Sequence, residues 1–600
     1  MLNFNYKKII YILFVILNIA YVHPNCNYEI GDSNNDNYLN VVDVIAIVNI
    51  IINDSSYDSN FDLNFDLVIN VEDVIIVVNR IVDENPQKIN LININFDFNN
   101  LLVSWNKSND YGFESYSLFY SNLILDEALE IYSTDDVLDT LITINDFDLK
   151  EQNWFFLIVE DFLGCETYSD QLYYELPYKH YSLDSNGNIL ETDISINDFN
   201  SANDCQACHQ NQFNEWSNSM HAYTMNSPLF FSYMNQTIEN HPNTGGKFCI
   251  QCHSPAAFLS DYSLGEYQTF EEFQNDNNLP QIIKEGVSCD ICHTATGLSQ
   301  TVMTNQNGAA NATYKLYPGE NIKFGSIENP DSNSYHESYY LPTYSLSEMC
   351  LPCHDLVVND VEAEITFTEW DRIPGFSMFG GIPCQSCHMP VKQDGSHDHS
   401  FIGVDLDLNI PYSQNPEYPK IVDLLSNSVE MEFGIWGVDL LDTISINDTL
   451  NVPLLIESIT AHSIPSGTSF NRDVWIELTI ENNQDIIYSS GLLENDSDLL
   501  NYNDNDLVFF KSFLLDELGD TTRSVIDSHD IINNSLAAYS QRFAQYSFIV
   551  DENYSGTLEV KARMLFRVFD PEFILEHHHQ FLNNIPIIEM ESISKTVVIN

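Results

Sequence analysis

The spacing of apolar and polar positions changes character along the 600-residue chain, and the changes divide it. Behind Lys7 and Lys8, residues 9–22 form an almost unbroken apolar run, with polar, loop-like sequence from His23 onward. Residues 44–52 and 74–82 are apolar runs of helical length, each preceded by a stretch rich in Asp and Asn. Alternation sets in at 101–105 and 116–120, the period-two signature of half-buried strands. After a polar linker at 182–198 come short helical segments between loops rich in Asn, Gly, Pro and Ser. Beyond Leu425, strand-length runs return at 443–455, 474–480, 545–550 and 557–566. The pattern predicts a multidomain chain: a small α module, a β-sandwich, a mainly α/coil domain and a C-terminal β-sandwich.

This length accommodates three to five domains at about 100–200 residues each. The expected boundaries are a signal peptide at 1–22 and domains at 26–84, 88–177, 178–425 and 426–600. The basic start and short apolar run have the form of an export signal, and the run is short for a membrane span of about 20 residues. No second spanning stretch follows, so the expected mature chain is exported, to the periplasm or the cell surface, without a membrane span. Acidic residues number 88 against 22 basic ones, a formal net charge of −66. Such a surface repels nucleic acid and anionic lipid, and it favours a partner with a basic or neutral docking face.

The chemistry is concentrated between Cys205 and His388, where Cys-x-x-Cys-His occurs five times. The copies are Cys205-x-x-Cys208-His209, Cys249-x-x-Cys252-His253, Cys289-x-x-Cys292-His293, Cys350-x-x-Cys353-His354 and Cys384-x-x-Cys387-His388. Two thiols one helical turn apart can each form a thioether to a haem vinyl group, and the adjacent histidine reaches the iron. A lone copy also fits a zinc half-site or a redox dithiol; five copies, each ending in His, point to five covalently bound c-type haems. Under 200 residues cannot bury five haems in an ordinary polypeptide core, so the porphyrins must form much of that core and lie close together. Ten of twelve cysteines are thereby used; Cys26 and Cys165 are left to pair in an oxidising compartment, although sequence does not show that they meet.

A carrier haem needs a second axial ligand, whereas a catalytic one keeps that position open. The candidates for the far side of the irons are His221, His241, His336, His399 and His462, with His397 competing with His399. His577, His578 and His579 are assigned to a solvated edge of the last domain. Methionines near the motifs, such as Met225 and Met349, are alternatives that would raise the potential.

Residues 31–82 contain a duplication. Asp32, Asn34, Asp36, Tyr38, Asn40 and Asp43 in the first copy recur as Asp62, Asn64, Asp66, Val68, Asn70 and Asp73 in the second. Oxygen side chains at loop positions 1, 3, 5, 9 and 12, with a backbone carbonyl at 7, suit calcium, so two calcium ions are expected. The pair resembles the dockerin module, which implies a cohesin-like or cell-surface partner, or simply a calcium-rigidified terminal domain. Position 6, which favours glycine, carries Asn37 and Leu67, and Leu tolerates the left-handed backbone poorly. Residues 89–175, with Trp105 and the segment 154–161, resemble a fibronectin type III domain, in which a spacer or binding role is expected.

The first motif followed by Trp216 and Ser219-Met-His221-Ala, the run Glu285-Gly-Val-Ser-Cys289, and Pro383-Cys-Gln-Ser-Cys-His-Met-Pro390 resemble the cytochrome c-552/4 family, whose relatives include octahaem hydroxylamine oxidoreductases. His462-x-x-Pro465-Ser-Gly467 resembles a β domain found beside such haem domains, where the histidine ligates a haem, although Ala461 replaces the usual glycine. The resemblance implies stacked and perpendicular haem pairs, mostly bis-histidine ligated. Pentahaem nitrite reductases share the haem count but use a lysine-ligated haem, and no Cys-x-x-Cys-Lys occurs here. The expected function is electron transfer between exported redox partners along a closely packed haem array. The alternative is an oxidoreductase acting on a small nitrogen or sulfur compound at one open iron.

Overall fold

The computed structural model describes residues 31–33, 39–53, 57–82, 86–96, 98, 100–110, 112–121, 128–145, 147, 149, 153–161, 164–184, 187–242, 245–264, 267, 269–298, 314–331, 333–374, 381–435, 437–493 and 499–600. The expected signal peptide, Cys26 and the loop residues Asn34, Asp36 and Tyr38 lie outside them. Two compact units are present, residues 1–176 and 177–600. Among the described residues no helix is long and apolar enough to cross a membrane.

The first unit begins with two helices, Val41–Ile52 and Val71–Val82; Ile47 of the first, Ile76 and Val77 of the second and Leu63 of the segment between them form a small core. The duplication is visible in the bonding. Asp43 accepts hydrogen bonds from the backbone N–H groups of Ser33 (2.9 Å) and Asn40 (2.8 Å). Thirty residues on, Asp73 accepts from those of Leu63 (2.7 Å) and Asn70 (2.7 Å). The sharp turn falls on Leu67, whose φ of +69° is left-handed.

Two antiparallel sheets follow. One comprises Leu91–Phe96, Asn100–Trp105 and Leu141–Asn145; the other is built on Phe113–Ser121 and Asn153–Asp161. Burial alternates strictly along Asn153–Asp161, as the sequence pattern requires of a strand with one face inward. Trp105 of the first sheet meets Tyr116 of the second edge-on at 5.6 Å. Cys165 is buried and disulfide-bonded, whereas the ten motif cysteines are free.

The second unit opens with the motif region. Its helices are short because Gly, Pro and Asn interrupt them: Ala202–Cys205, Gly245–His253, Cys289–His293, Leu351–His354 and Cys384–His388 each carry one motif or part of one. The C-terminal part is a β structure with the larger core. Asp473–Asn482, buried almost throughout, lies between Thr557–Arg567 and Asp485–Ser490, and Ile588–Ile599 extends the sheet. A three-stranded sheet of Val429–Glu432, Thr449–Ser458 and Gln541–Ile549 shares its hydrophobic core. At one edge, Asp473 and Asp570 are buried with Lys511, which bonds both at 3.0 and 2.6 Å, and Arg567 bonds Asp473 at 2.6 Å. Buried charges persist only when paired in this way.

Candidate haem-binding site

Four of the five motif histidines face a second histidine across a nearly constant gap. Ring centroids are 6.2 Å apart for His209 and His336, 6.3 Å for His293 and His399, 6.3 Å for His354 and His221, and 6.4 Å for His388 and His462. Rings this far apart are not in van der Waals contact. Metal–imidazole bonds are about 2.0 Å and a ring centroid lies roughly 1.1 Å behind its nitrogen, so two rings on opposite faces of one metal stand about 6.2 Å apart. The gap is that of an iron with one imidazole on each side.

Hydrogen bonding leaves the right nitrogen free. Nδ1 of His293 donates to the Phe324 carbonyl (2.7 Å) and Nδ1 of His388 to that of Ile402 (2.6 Å). Nδ1 of His336, His399 and His462 donates to the carbonyls of Glu337 (3.1 Å), His397 (2.9 Å) and Ser463 (3.1 Å). Each leaves the Nε2 lone pair for a metal. Desolvation disfavours the charged form of His221, His293, His354, His388 and His399. It pulls His221 down to about 3, with His354 and His388 adding to the effect, and His354 to about 4, assisted by His388 and His462.

Local structure explains how distant residues reach their places. Glu215 accepts the His399 backbone N–H (3.0 Å) while paired with Lys392 (2.8 Å). The turn after His462 is tied down by Glu369, which accepts from Ser463 N (3.0 Å) and Ser466 Oγ (2.6 Å). Trp216 Nε1 donates to the Val287 carbonyl (2.8 Å), and Val287 N to the His221 carbonyl (3.1 Å), so the segment carrying His221 is pinned to the run before the third motif. Gly286 makes that approach possible: it has φ +68°, and a Cβ there would lie 2.0 Å from Thr224 Oγ1 and 2.8 Å from the His221 carbonyl oxygen.

The remaining expected histidine is placed elsewhere. His241 Nε2 lies 3.1 Å from Asp527 Oδ1, and among the described residues no histidine ring pairs with His253. His241 sits at the C-cap of the helix Pro228–Asn240, and that helix instead presents Phe230, stacked on His253 at 3.8 Å. His397 Nδ1 donates to the Met389 carbonyl, and His578 Nε2 bonds Ser232 Oγ at 2.7 Å rather than standing at a solvated edge. One further group was not foreseen. Glu364 retains some accessible surface, yet burial pushes its carboxyl up to about 7 although Arg472 opposes the rise. Both observations follow if that surface lines an enclosed cavity. Its charge is felt at Cys252 and Tyr233. The signal in sequence was slight: one acid in an alternating strand.

The motif sulfurs are neighbours. Free thiols stand here for the thioether sulfurs of haem c. Cys205 lies within hydrogen-bonding reach of Cys289, Cys252 of Cys353, and Cys350 of Cys384; in each pair the contact pulls one thiol down and pushes the other up. Cys292 also senses Cys353. Motif one thus adjoins motif three, and motif four adjoins motifs two and five.

In the first unit, Asp32, Asp43, Asp62 and Asp73 are all buried. Asp43, Asp62 and Asp73 accept backbone N–H groups of their own loops, and among the described residues no three of His, Cys, Asp and Glu come together in a group that could hold a metal ion.

Comparison with known proteins bears on the class of the chain. The family model "Cytochrome c554 and c-prime" matches residues 204–294, the span of the first three motifs. A penta-haem cytochrome c552 from Thermochromatium tepidum is similar in structure at 18% identity and a TM-score of 0.51, covering 67% of this chain and 100% of that one. The sixth fibronectin type III domain of a human fibronectin type III domain-containing protein aligns at 12% identity, covering 15% of this chain and 86% of its own, with a TM-score of 0.14. No curated protein matches the sequence. The family match and the shared fold support a multihaem c-type cytochrome with covalently bound haem c.

Proposed function

We propose that the protein is an exported cytochrome holding five haems and passing single electrons between redox partner proteins. The observation that carries the reading is the set of four histidine pairs at 6.2–6.4 Å, which leaves four irons closed to substrate and suited to carrying charge. In this reading the site residues are the five Cys-x-x-Cys-His motifs with His336, His399, His221 and His462. Bound haem supplies the one-electron couple; the chain supplies close spacing and an imidazole for each side of four irons. The adjoining motif pairs, one with three and four with both two and five, suit hopping between neighbouring haems. The acidic surplus favours partners with basic or neutral docking faces. The two-helix module serves as a calcium-stiffened element that docks a cohesin-like or cell-surface partner, and the paired sheets after it act as a spacer.

Low-temperature electron paramagnetic resonance with spin counting on the haem-loaded oxidised protein tests this. Four low-spin haems are expected, and His336→Ala should convert one of them to high spin while His241→Ala converts none. Loss of no low-spin signal in His336→Ala would refute the pairing. Chelation of calcium should loosen the N-terminal module and leave the haem spectra unchanged.

A second reading is favoured by one observation, the absence among the described residues of a histidine opposite His253. An open iron there would make the protein an oxidoreductase for a small nitrogen or sulfur compound, fed by the other four haems. A high-spin signal of one haem equivalent that shifts on addition of nitrite or hydroxylamine supports this reading; no shift with either removes it.

A further inference from the structure

Glu364 ends the strand Val361–Glu364, which runs back along Leu356–Val358 directly after the fourth motif. Packing fixes where this hairpin lies. Val358, Val361 and Ala363 share a core with Phe470, just before Arg472, and Phe248, which precedes Cys249, packs against the same core. The hairpin thus touches the second motif's helix and the segment leading to Arg472. Electrostatics place the carboxyl at its end. Glu364 is felt at Cys252 and at Tyr233, and it senses Arg472 and Asp405. These four are the titratable groups around it among the described residues. Arg472 is the one cation, and it is held by Asp405 at 2.8 and 3.2 Å; the Tyr233 hydroxyl donates to the Arg523 carbonyl at 2.7 Å. The proton affinity of Glu364 is raised by burial, and no hydrogen bond contributes to it. The chain therefore compensates a negative charge at this place only weakly.

A ferric haem carries one more positive charge than a ferrous one. In a poorly screened interior a nearby positive charge favours the carboxylate, and its loss on reduction favours the protonated acid. We propose that Glu364 is a proton-binding group linked to the haem attached at Cys249 and Cys252: it takes up a proton when that haem is reduced and returns it on oxidation, so that electron transfer at this motif carries a proton. One electron passes from the ferrous haem attached at Cys350 and Cys353, which becomes ferric, to the ferric haem attached at Cys249 and Cys252, which becomes ferrous. The reach between Cys252 and Cys353 is the junction. One proton from solvent adds to a carboxylate oxygen of Glu364 and forms an O–H bond; no bond to iron is made or broken. The inference rests on the reading that the second motif holds a haem.

Proton uptake and spectropotentiometry of the haem-loaded protein test it. On reduction in weakly buffered solution near neutral pH, the wild type should take up more protons than Glu364→Gln, by as much as one per molecule. One midpoint should fall as pH rises through the window between the carboxyl's values in the oxidised and reduced protein, because reduction there binds a proton. Its steepest slope approaches about tenfold in the reduction equilibrium per pH unit, about 59 mV for one electron. The Glu364→Gln amide is neutral like the protonated acid, so in that variant this midpoint should lose its slope and stay at the wild-type low-pH value. Asp405→Asn removes an anion and frees Arg472 to attract Glu364, so the sloping region should move to lower pH. Equal proton uptake and parallel midpoint curves in wild type and Glu364→Gln overturn the inference. If Glu364→Gln does not load haem, Asp405→Asn decides, and a sloping region that stays in place overturns it. Haem counting separates the two failures. Four covalent haems, with Cys249 and Cys252 unmodified by peptide mass spectrometry, remove the underlying reading, whereas five haems with unchanged uptake remove only the role given to Glu364.

Discussion

Glu364 is the residue whose chemistry sets a pH dependence. Burial raises its carboxyl from 4.5 to about 7 in the folded chain. Between those values the folded state binds more protons than the unfolded one, so stability falls as pH rises through the window and is level above it. The sign is opposite to that of a carboxylate held by a cation, because here burial outweighs the attraction of Arg472, which is committed to Asp405 at 2.8 and 3.2 Å. Glu364→Gln carries no such proton. Its denaturant midpoint should therefore stay flat from pH 4.5 to pH 7 relative to the wild-type decline; parallel curves would show that Glu364 does not titrate there. At this scale the sequence was most readable where chemistry is local. Each motif names its own histidine, and His221, His399 and His462 stood out by context, whereas His336, like His241, reads the same as a surface histidine. Which of them faces which motif was not readable, because the pairs are joined through turns, such as that held by Glu369, whose bonds come from remote segments. His241 misled because it has the composition of a ligand but stands at a helix C-cap facing Asp527.

Elements were legible in proportion to their periodicity. The alternating runs became Asn100–Trp105, Asp473–Asn482 and Thr557–Arg567, each somewhat longer than the apolar run itself. The motif helices were legible only as short pieces, since each gives the protein core only one or two residues, such as Ile250 and Ile291, too few to make a stripe. Gly286 shows what periodicity misses. Nothing in the spacing around Glu285-Gly-Val-Ser says that two other segments converge there. Yet its left-handed φ and the 2.8 Å approach of the His221 carbonyl leave no room for a side chain. Gly286→Ala is expected to lose at least about 1–2 kcal/mol from the backbone conformation alone. It must also push the Thr224 hydroxyl off the His221 and His253 carbonyls, which it bonds at 3.0 and 2.9 Å. Calorimetry should show the destabilisation, and the low-spin signal of the His354 haem should broaden or weaken because His221 moves. A variant that melts as wild type with all low-spin signals unchanged would mean that the segments part without cost.

At the scale of the whole molecule the governing quantity is the charge of −66. An oxidised haem is more positive than a reduced one by one unit, so a surplus of carboxylates stabilises the ferric form and pushes every potential down. The same field falls off within a Debye length, about 30 Å at 0.01 M salt and 3 Å at 1 M. The potentials should then depend on ionic strength in a definite direction. At low salt the titration should be centred below zero, and raising the salt should move it upward as the surface charges are screened. Buried groups near the haems are screened by salt much less than surface charges are, so part of the depression should survive at 1 M. Spectropotentiometric titration at the two ionic strengths distinguishes these contributions. Midpoints that fall with salt, or that sit well above zero at low salt, would show that the acidic surface does not set the potentials.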